Sequence, residues 1–197
     1  MATTMCTPTS SRCPSNSPRP TAGFTLLELV VVLAIGGVLA AMAVPPMHAM
    51  LNSQKVVSFV NLFVSSLHLA RNEAIKRNAR AVMCKSATGQ TCTGSGGWEQ
   101  GWILFHDTNN NAQLDAGEQV VLRQGAVSVG PRLTGNTPVA NYVSYSASGG
   151  AKLVSGAFQA GTFTLCPESA SDTGVRRIVL SGTGRPRTQT GTPGDCR

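Results

Sequence analysis

Charged residues are scarce in this 197-residue chain, at 13%, about half the roughly 25% usual for soluble proteins. Aromatic residues make up only 5% and histidines number three. No G-x-S-x-G, no H-E-x-x-H and no glycine-rich phosphate loop occurs. His48 and His68 have no companion cysteine or carboxylate cluster at ligand spacing. His106 and Asp107 are neighbours in a strand-like run, which puts them on opposite faces. These absences argue against an enzyme and against a cofactor. The 21 glycines, with so few aromatics, point to many turns and short strands.

What is present is basic and apolar. Hydrophobic residues reach 42% and the formal net charge is +7. From Met47 onward, 14 Lys and Arg stand against 8 Asp and Glu; residues 123–197 alone hold eight basic and three acidic side chains. A basic excess at one end suits an anionic partner: nucleic acid, acidic lipid or an acidic protein. Simple solubility is the plainer reading.

Residues 1–23 are rich in Ser, Thr and Pro and lack hydrophobic periodicity. Then follows "GFTLLELVVVLAIGGVLAAMAVPPM". Residues 24–47 are long enough to span a bilayer, with a single ionisable group, Glu28. A carboxylate in that setting costs about 2.5–3.5 kcal/mol on insertion scales, so a plain anchor has no reason to keep it. An ordinary secretory signal cut near Ala41-Met42-Ala43 is an alternative. It would carry Glu28 within its apolar core and Pro45 just after the cut.

The stretch resembles the N-terminus of type IV pilins and type II secretion pseudopilins. In those proteins a glycine precedes a phenylalanine, with a glutamate at the fifth mature position, here Gly23, Phe24 and Glu28. The resemblance implies cleavage after Gly23 by a prepilin peptidase and N-methylation of Phe24. One departure is that no basic residue directly precedes Gly23; the nearest is Arg19. The resemblance also accounts for Glu28: it can neutralise the Phe24 amine of a neighbouring subunit. Because an unpaired buried charge is strongly unfavourable, the pair would set subunit register. The domain organisation follows: 1–23 a removed leader, 24–51 the transmembrane and filament-core half of a spine helix, and 52–197 a periplasmic α+β globular domain ending in a basic loop. Localisation follows as well: a single-pass inner-membrane protein, later part of a filament at the cell surface.

Beyond Pro45-Pro46, which should break or loosen the helical ladder, Val56, Val60, Phe63, Leu67, Ala70 and Ala74 recur in steps of four and three. They form one apolar stripe of a helix. Glu73 and Arg77 are a favourable i,i+4 pair. The helix is therefore expected from Phe24 to about Ala79. Short β-branched and aromatic runs then predict strands near 81–85, 101–106, 119–123, 142–147, 162–166 and 176–181. The fold class is α+β, a type IV pilin-like fold with a long spine helix packed under a mostly antiparallel sheet. The run "GWILFHDTNNNAQLDAGEQVVLR" resembles the GspH/FimT family of pseudopilins and minor pilins. Within it, Asp107, Asn109, Asn111 and Glu118 fall at positions 1, 3, 5 and 12 of a calcium-loop pattern, and Asp115 at position 9. Position 6 is Ala112 where that pattern needs Gly, and the flanks read as strands. The loop is expected to be a polar turn built by its own Asx side chains, without metal.

Of six cysteines, Cys6 and Cys13 lie in the leader. Cys84, Cys92, Cys166 and Cys196 would meet an oxidising periplasm. Four cysteines allow three connectivities; local pairing, Cys84–Cys92 and Cys166–Cys196, is favoured. The Cys-x7-Cys spacing does not suit a zinc finger.

The C-terminal "SGTGRPRTQTG" resembles the G-R-x-R element of DNA-binding FimT-type minor pilins, with Gly184, Arg185 and Arg187 matching and Pro186 in the free position. Gly184 permits a turn and Pro186 stiffens it. Each guanidinium can fork onto a phosphate, and Arg176 and Arg177 precede on a strand whose alternation points one of them outward. No aromatic is interleaved in this segment, so non-specific contact with phosphates of double-stranded DNA fits better than base stacking. The expected function is a minor pilin of a type IV pilus that captures DNA for uptake in natural transformation. Its partners would be DNA, other pilin subunits and the peptidase. The alternative is a structural minor pilin or secretion pseudopilin that primes or caps the filament.

Overall fold

A computed structural model describes residues 23–127, 130–167 and 174–196, with backbone only for 42–52. The expectations for the leader, including Cys6 and Cys13, lie outside the described residues, as does the side chain of His48. Among the described residues there is one α-helix, α1 (Leu26–Arg77), which precedes all the strands. Thr25 caps it, its Oγ1 accepting the Glu28 N–H at 3.2 Å. Glu28 lies in the first turn, where the helix end favours negative charge. Lys76 and Arg77 occupy the last turn. Asn78 then takes φ 50°, with Ala79 N–H donating to Ala74 O and Asn78 N–H to Ile75 O, the Schellman arrangement that ends helices. The expected loosening at Pro45-Pro46 does not interrupt the helical assignment; proline's fixed φ is itself helical, and only the lost N–H bonds mark the site.

The chain divides into two compact units, residues 1–45 and 46–197. In the first, the described apolar side chains from Phe24 to Leu39 are exposed, Phe24 at 86%. Among the described residues no helix is long and apolar enough to cross a membrane.

In the second unit the helical stripe Val56, Phe59, Val60, Phe63, Leu67, Ala70 and Ala74 is buried, as the four-and-three spacing requires. Glu73 reaches Arg77 at 3.6 Å and also His106 Nε2 at 3.3 Å. Two four-stranded antiparallel sheets pack with this stripe. The first has the order β3-β2-β1-β5, with β1 Ala81–Lys85, β2 Trp102–His106, β3 Val120–Gln124 and β5 Tyr142–Tyr145. The second has the order β4-β6-β7-β8, with β4 Arg132–Gly135, β6 Gly161–Cys166, β7 Arg176–Leu180 and β8 Pro186–Thr190. A division into two sheets was not foreseen, nor were β4 and β8, the two edges of the second sheet.

β1 and β2 are buried on both faces. Ala81, Met83, Trp102 and Leu104 join the main core, while Val82, Cys84, Ile103 and Phe105 form a small second core with Ala112. Cys92 and Leu114 pack on that second core. The Cys84–Cys92 disulfide (Cα–Cα 5.6 Å) holds one part of this cover. Buried Lys85, donating from Nζ to Gly94 O and Gly96 O, steadies the same loop. Burial pushes the Lys85 amine down, against the opposing charge of Glu99.

Candidate nucleic-acid interface

The β7–β8 hairpin carries the Gly-Arg-Pro-Arg element. Its last pair is Leu180 with Pro186, so residues 181–185 form the turn. Ser181 clamps it: its N–H donates to Arg185 O at 3.2 Å, and its Oγ accepts from Arg185 N–H at 3.3 Å. Gly184 N–H donates to Ser181 O at 2.8 Å. The segment is thus a hairpin rather than the loop expected from its lack of apolar residues. Pro186 opens β8 and no apolar side chain follows, which the ladder tolerates because β8 is an edge strand.

Gly184 is buried and has φ +78°. A Cβ there would overlap Gly149 O and approach Tyr145 Cε1 at 3.0 Å. Replacing Gly184 with alanine should therefore cost more than about 2 kcal/mol, from the left-handed conformation and the overlap together. Urea unfolding of the full chain checks this; unchanged stability would contradict the assignment of the turn.

Register sorts the arginines. Arg187 pairs with Val179, and Arg177 with Gln189 and Thr164. These side chains share the outer face of the sheet, since paired residues in an antiparallel ladder point the same way. Arg176 pairs with Leu165 and Thr190 and shares the opposite face with buried Ile178 and Leu180. There it lines a groove of about 250 Å³ with Val57, Val60, Asn61, Thr188 and Thr190. The structure therefore does not bring all four arginines together: Arg177 and Arg187 share a face, Arg185 sits on the adjoining turn, and Arg176 is apart.

Arg185 and Arg187 are exposed, and neither guanidinium makes a hydrogen bond or ion pair among the described residues. Arg177 is half-buried, its Nε without a hydrogen-bond partner among the described residues. The Asp195 carboxyl is held below the usual aspartate range by the Thr192 N–H, then by the Thr192 hydroxyl, with a smaller contribution from the Arg177 charge. Arg177 thus has a carboxylate nearby, whereas Arg185 and Arg187 are in no ion pair among the described residues. The same outer face extends through Thr162 and Thr164 to Thr134 and exposed Arg132. Sequence reasoning missed Arg132 because β4 has only four residues and ends in glycine.

The chain beyond β8 is fixed back onto the sheet. Cys166 in β6 bonds Cys196, with Cα–Cα 5.7 Å across a separation of 30 residues. A single turn, Pro193–Asp195, closes on itself through a reciprocal cap between Thr192 and Asp195. Removing this bridge by a Cys166→Ser, Cys196→Ser double substitution should lower stability by about 3–4 kcal/mol on the chain-entropy account. Thermal unfolding checks it; an unchanged melting temperature would contradict it.

The candidate calcium residues are engaged within their own loop. Asp107 accepts from the N–H groups of Asn111 (3.1 Å) and Ala112 (3.0 Å). Asp115 accepts from the side-chain amides of Asn109 and Asn111, both at 2.7 Å, which hold its carboxyl below the usual range, Asn109 first. Glu118 accepts from Thr108 N–H at 2.8 Å and Asp115 N–H at 3.1 Å. Asn110 (φ 61°) and Ala112 (φ 58°) turn the chain inside this ring of bonds. Among the described residues no group of three or more His, Cys, Asp or Glu is placed to hold a metal ion.

A spine helix buried against antiparallel sheets, preceded by a helical segment whose apolar side chains remain exposed, defines a pilin-like subunit. The chain belongs to the family described as type II transport protein GspH, which matches residues 60–184. A prokaryotic N-terminal methylation motif matches residues 18–44. Pilin-like protein PilA1 of Thermus thermophilus is 36% identical over 97 residues, 49% of this chain and 55% of that protein. The match thus spans about half of that relative's length. Among solved structures, the type IV minor pilin FimU of Pseudomonas aeruginosa is similar at 14% identity and TM-score 0.47, over 76% of this chain and 92% of that one. The minor pseudopilin EpsH of the Vibrio cholerae type 2 secretion system is similar at 13% identity and TM-score 0.47, over 69% and 97%. No residue role transfers from likenesses of that order. The family makes this chain a minor pilin or pseudopilin.

Proposed function

We propose that this protein is a minor pilin of a type IV pilus that binds double-stranded DNA without sequence preference through the 184–187 segment, for DNA uptake. The observation that carries the reading is a pair of exposed guanidiniums, Arg185 on the turn fixed by Gly184 and Arg187 just inside β8, neither with a partner among the described residues. Such a pair can fork onto phosphate oxygens without first breaking an internal contact. Arg177, Arg132 and the threonine hydroxyls of the outer face extend the track. Phosphate contacts position a duplex but read no sequence.

In the same reading the chain is cut between Gly23 and Phe24 by a prepilin peptidase and methylated on Phe24. It waits in the inner membrane with its globular unit in the periplasm, and enters the filament when Glu28 pairs with a neighbour's terminal amine. The test in cells is the Arg185→Ala, Arg187→Ala double variant, which should abolish DNA uptake while pili form in normal amounts. The competing reading, a priming or capping subunit without DNA binding, is favoured by the open groove between α1 and edge strand β8, where Asn61 and Arg176 stand ready for a protein contact. Loss of pili in the double variant would support that reading and overturn the proposal.

A further inference from the structure

We infer that Phe158 is a stacking platform for an unpaired base, so that the interface takes single-stranded DNA or frayed duplex ends as well as duplex phosphates. This rests on the DNA-binding reading of the 184–187 segment. In sequence, Phe158 lies 26 residues before Gly184 and belongs to none of the named strands. The fold brings it to the turn. Phe158 and Lys152 pair across an isolated antiparallel bridge. The connecting loop closes through Leu153 N–H to Ala157 O at 2.8 Å and Gly156 N–H to Leu153 O at 2.9 Å. The next residue, Gln159, is fully buried and anchors the hairpin. It accepts from Ser144 N–H and donates to Pro138 O and Tyr142 O. Phe158 is thus presented from a fixed backbone.

Its ring lies against Gly182, where a Cβ would meet Phe158 Cβ at 3.3 Å and Cγ at 3.5 Å. Gly182 is in the same five-residue turn as Arg185. The turn also bonds this region directly, Ala151 N–H donating to Gly182 O at 3.2 Å. Despite these contacts, Phe158 is 75% exposed. Among the described large apolar side chains of residues 46–197, none is as exposed; the next are aliphatic, at 48% or less. Lys152 Nζ stands 5.8 Å from the ring centroid, within cation–π range.

The charged groups that the structure places by this ring are cations, Lys152 at its side and Arg185 on the turn that it touches. Among the described residues 130–196 the one carboxylate is Asp195, which sits beside Arg177 beyond the far end of β8 from the turn. A fixed, exposed aromatic face flanked by Lys152 and by the turn that carries Arg185, with Arg187 following in β8, matches single-stranded nucleic acid. Bases stack on the ring while cations track the backbone, and any base serves because each has a π-face. A second pilin subunit would bury Phe158 equally well but gives no reason for the cationic surround.

Fluorescence anisotropy on the full chain in mild detergent tests this. The probes are a mixed-sequence single strand and a duplex closed at both ends by hairpin loops too short to stack out. Phe158→Ala and Phe158→Leu should both weaken the single strand about tenfold and change the closed duplex less than about twofold. Phe158→Trp should bind the single strand at least as well as wild type. Leucine keeps the apolar contact with Gly182, so its loss of binding would isolate the aromatic face. Equal weakening of both probes, or wild-type binding by Phe158→Ala, overturns the stacking role. That outcome leaves the duplex reading intact as long as the Arg185→Ala, Arg187→Ala variant has lost both probes. If that double variant binds both probes as wild type does, the DNA-binding reading itself fails.

Discussion

Replacing Phe63 with alanine should lower the stability of the globular unit by about 3–5 kcal/mol. Phe63 is fully buried at the point where α1 meets both sheets. Its ring contacts Trp98, Trp102 and Phe163 edge-on, with centroids at 5.3, 5.2 and 4.9 Å. Trp102 is on β2 of the first sheet and Phe163 on β6 of the second, so one side chain joins three layers. Edge-to-face pairs contribute about 0.5–1.5 kcal/mol beyond burial, and three are lost together with the cavity left behind. A domain has about 5–15 kcal/mol in all, so this one change removes a large share. Leu62, the preceding residue, is 37% exposed; its replacement by alanine is the control and should cost much less. Urea unfolding followed by tryptophan fluorescence measures both. A cost for Phe63→Ala below that of Leu62→Ala would contradict the packing described.

The second large effect is on binding. The Arg185→Ala, Arg187→Ala double variant should lose nearly all duplex affinity at physiological salt while unfolding at the same urea concentration as wild type. The fold has no stake in either side chain, because both are exposed and without partners among the described residues. Arg185→Lys keeps the charge but should bind less well than wild type, because an ammonium cannot fork onto two oxygens. Arg176→Ala provides an internal comparison: its side chain lies on the opposite face, in the α1 groove, and it should leave duplex binding near the wild-type level.

Periodicity made much of this legible. The stripe from Val56 to Ala74 is buried residue for residue, and six of the eight strands lie within a residue or two of their expected ends. What failed had physical causes. β8 reads as a loop because an edge strand needs no apolar side chains, and its order comes from pairing with β7 and from the Cys166–Cys196 bridge. β4 is too short for alternation to register. The division of Arg176 from Arg177 follows from alternation, but which of the two faces out could be read only once Ile178 and Leu180 were seen to be buried. The contact of Phe158 with the turn was invisible in sequence because it is tertiary. For the Gly-Arg-Pro-Arg element, resemblance indicated the residues, while the need for Gly184 became physical only with Gly149 O and Tyr145 packed beside it.

The most direct test of DNA binding at this turn is the salt dependence of duplex affinity, measured side by side for the full wild-type chain and the Arg185→Ala, Arg187→Ala variant. The log–log slope for wild type should steepen by about 0.9 for each phosphate neutralised, and the variant should be shallower by roughly two units. Unrelated duplex sequences should give superimposable curves. Equal slopes and equal affinities for the two proteins at low salt would contradict the account and leave the turn as a solvated or filament-facing surface.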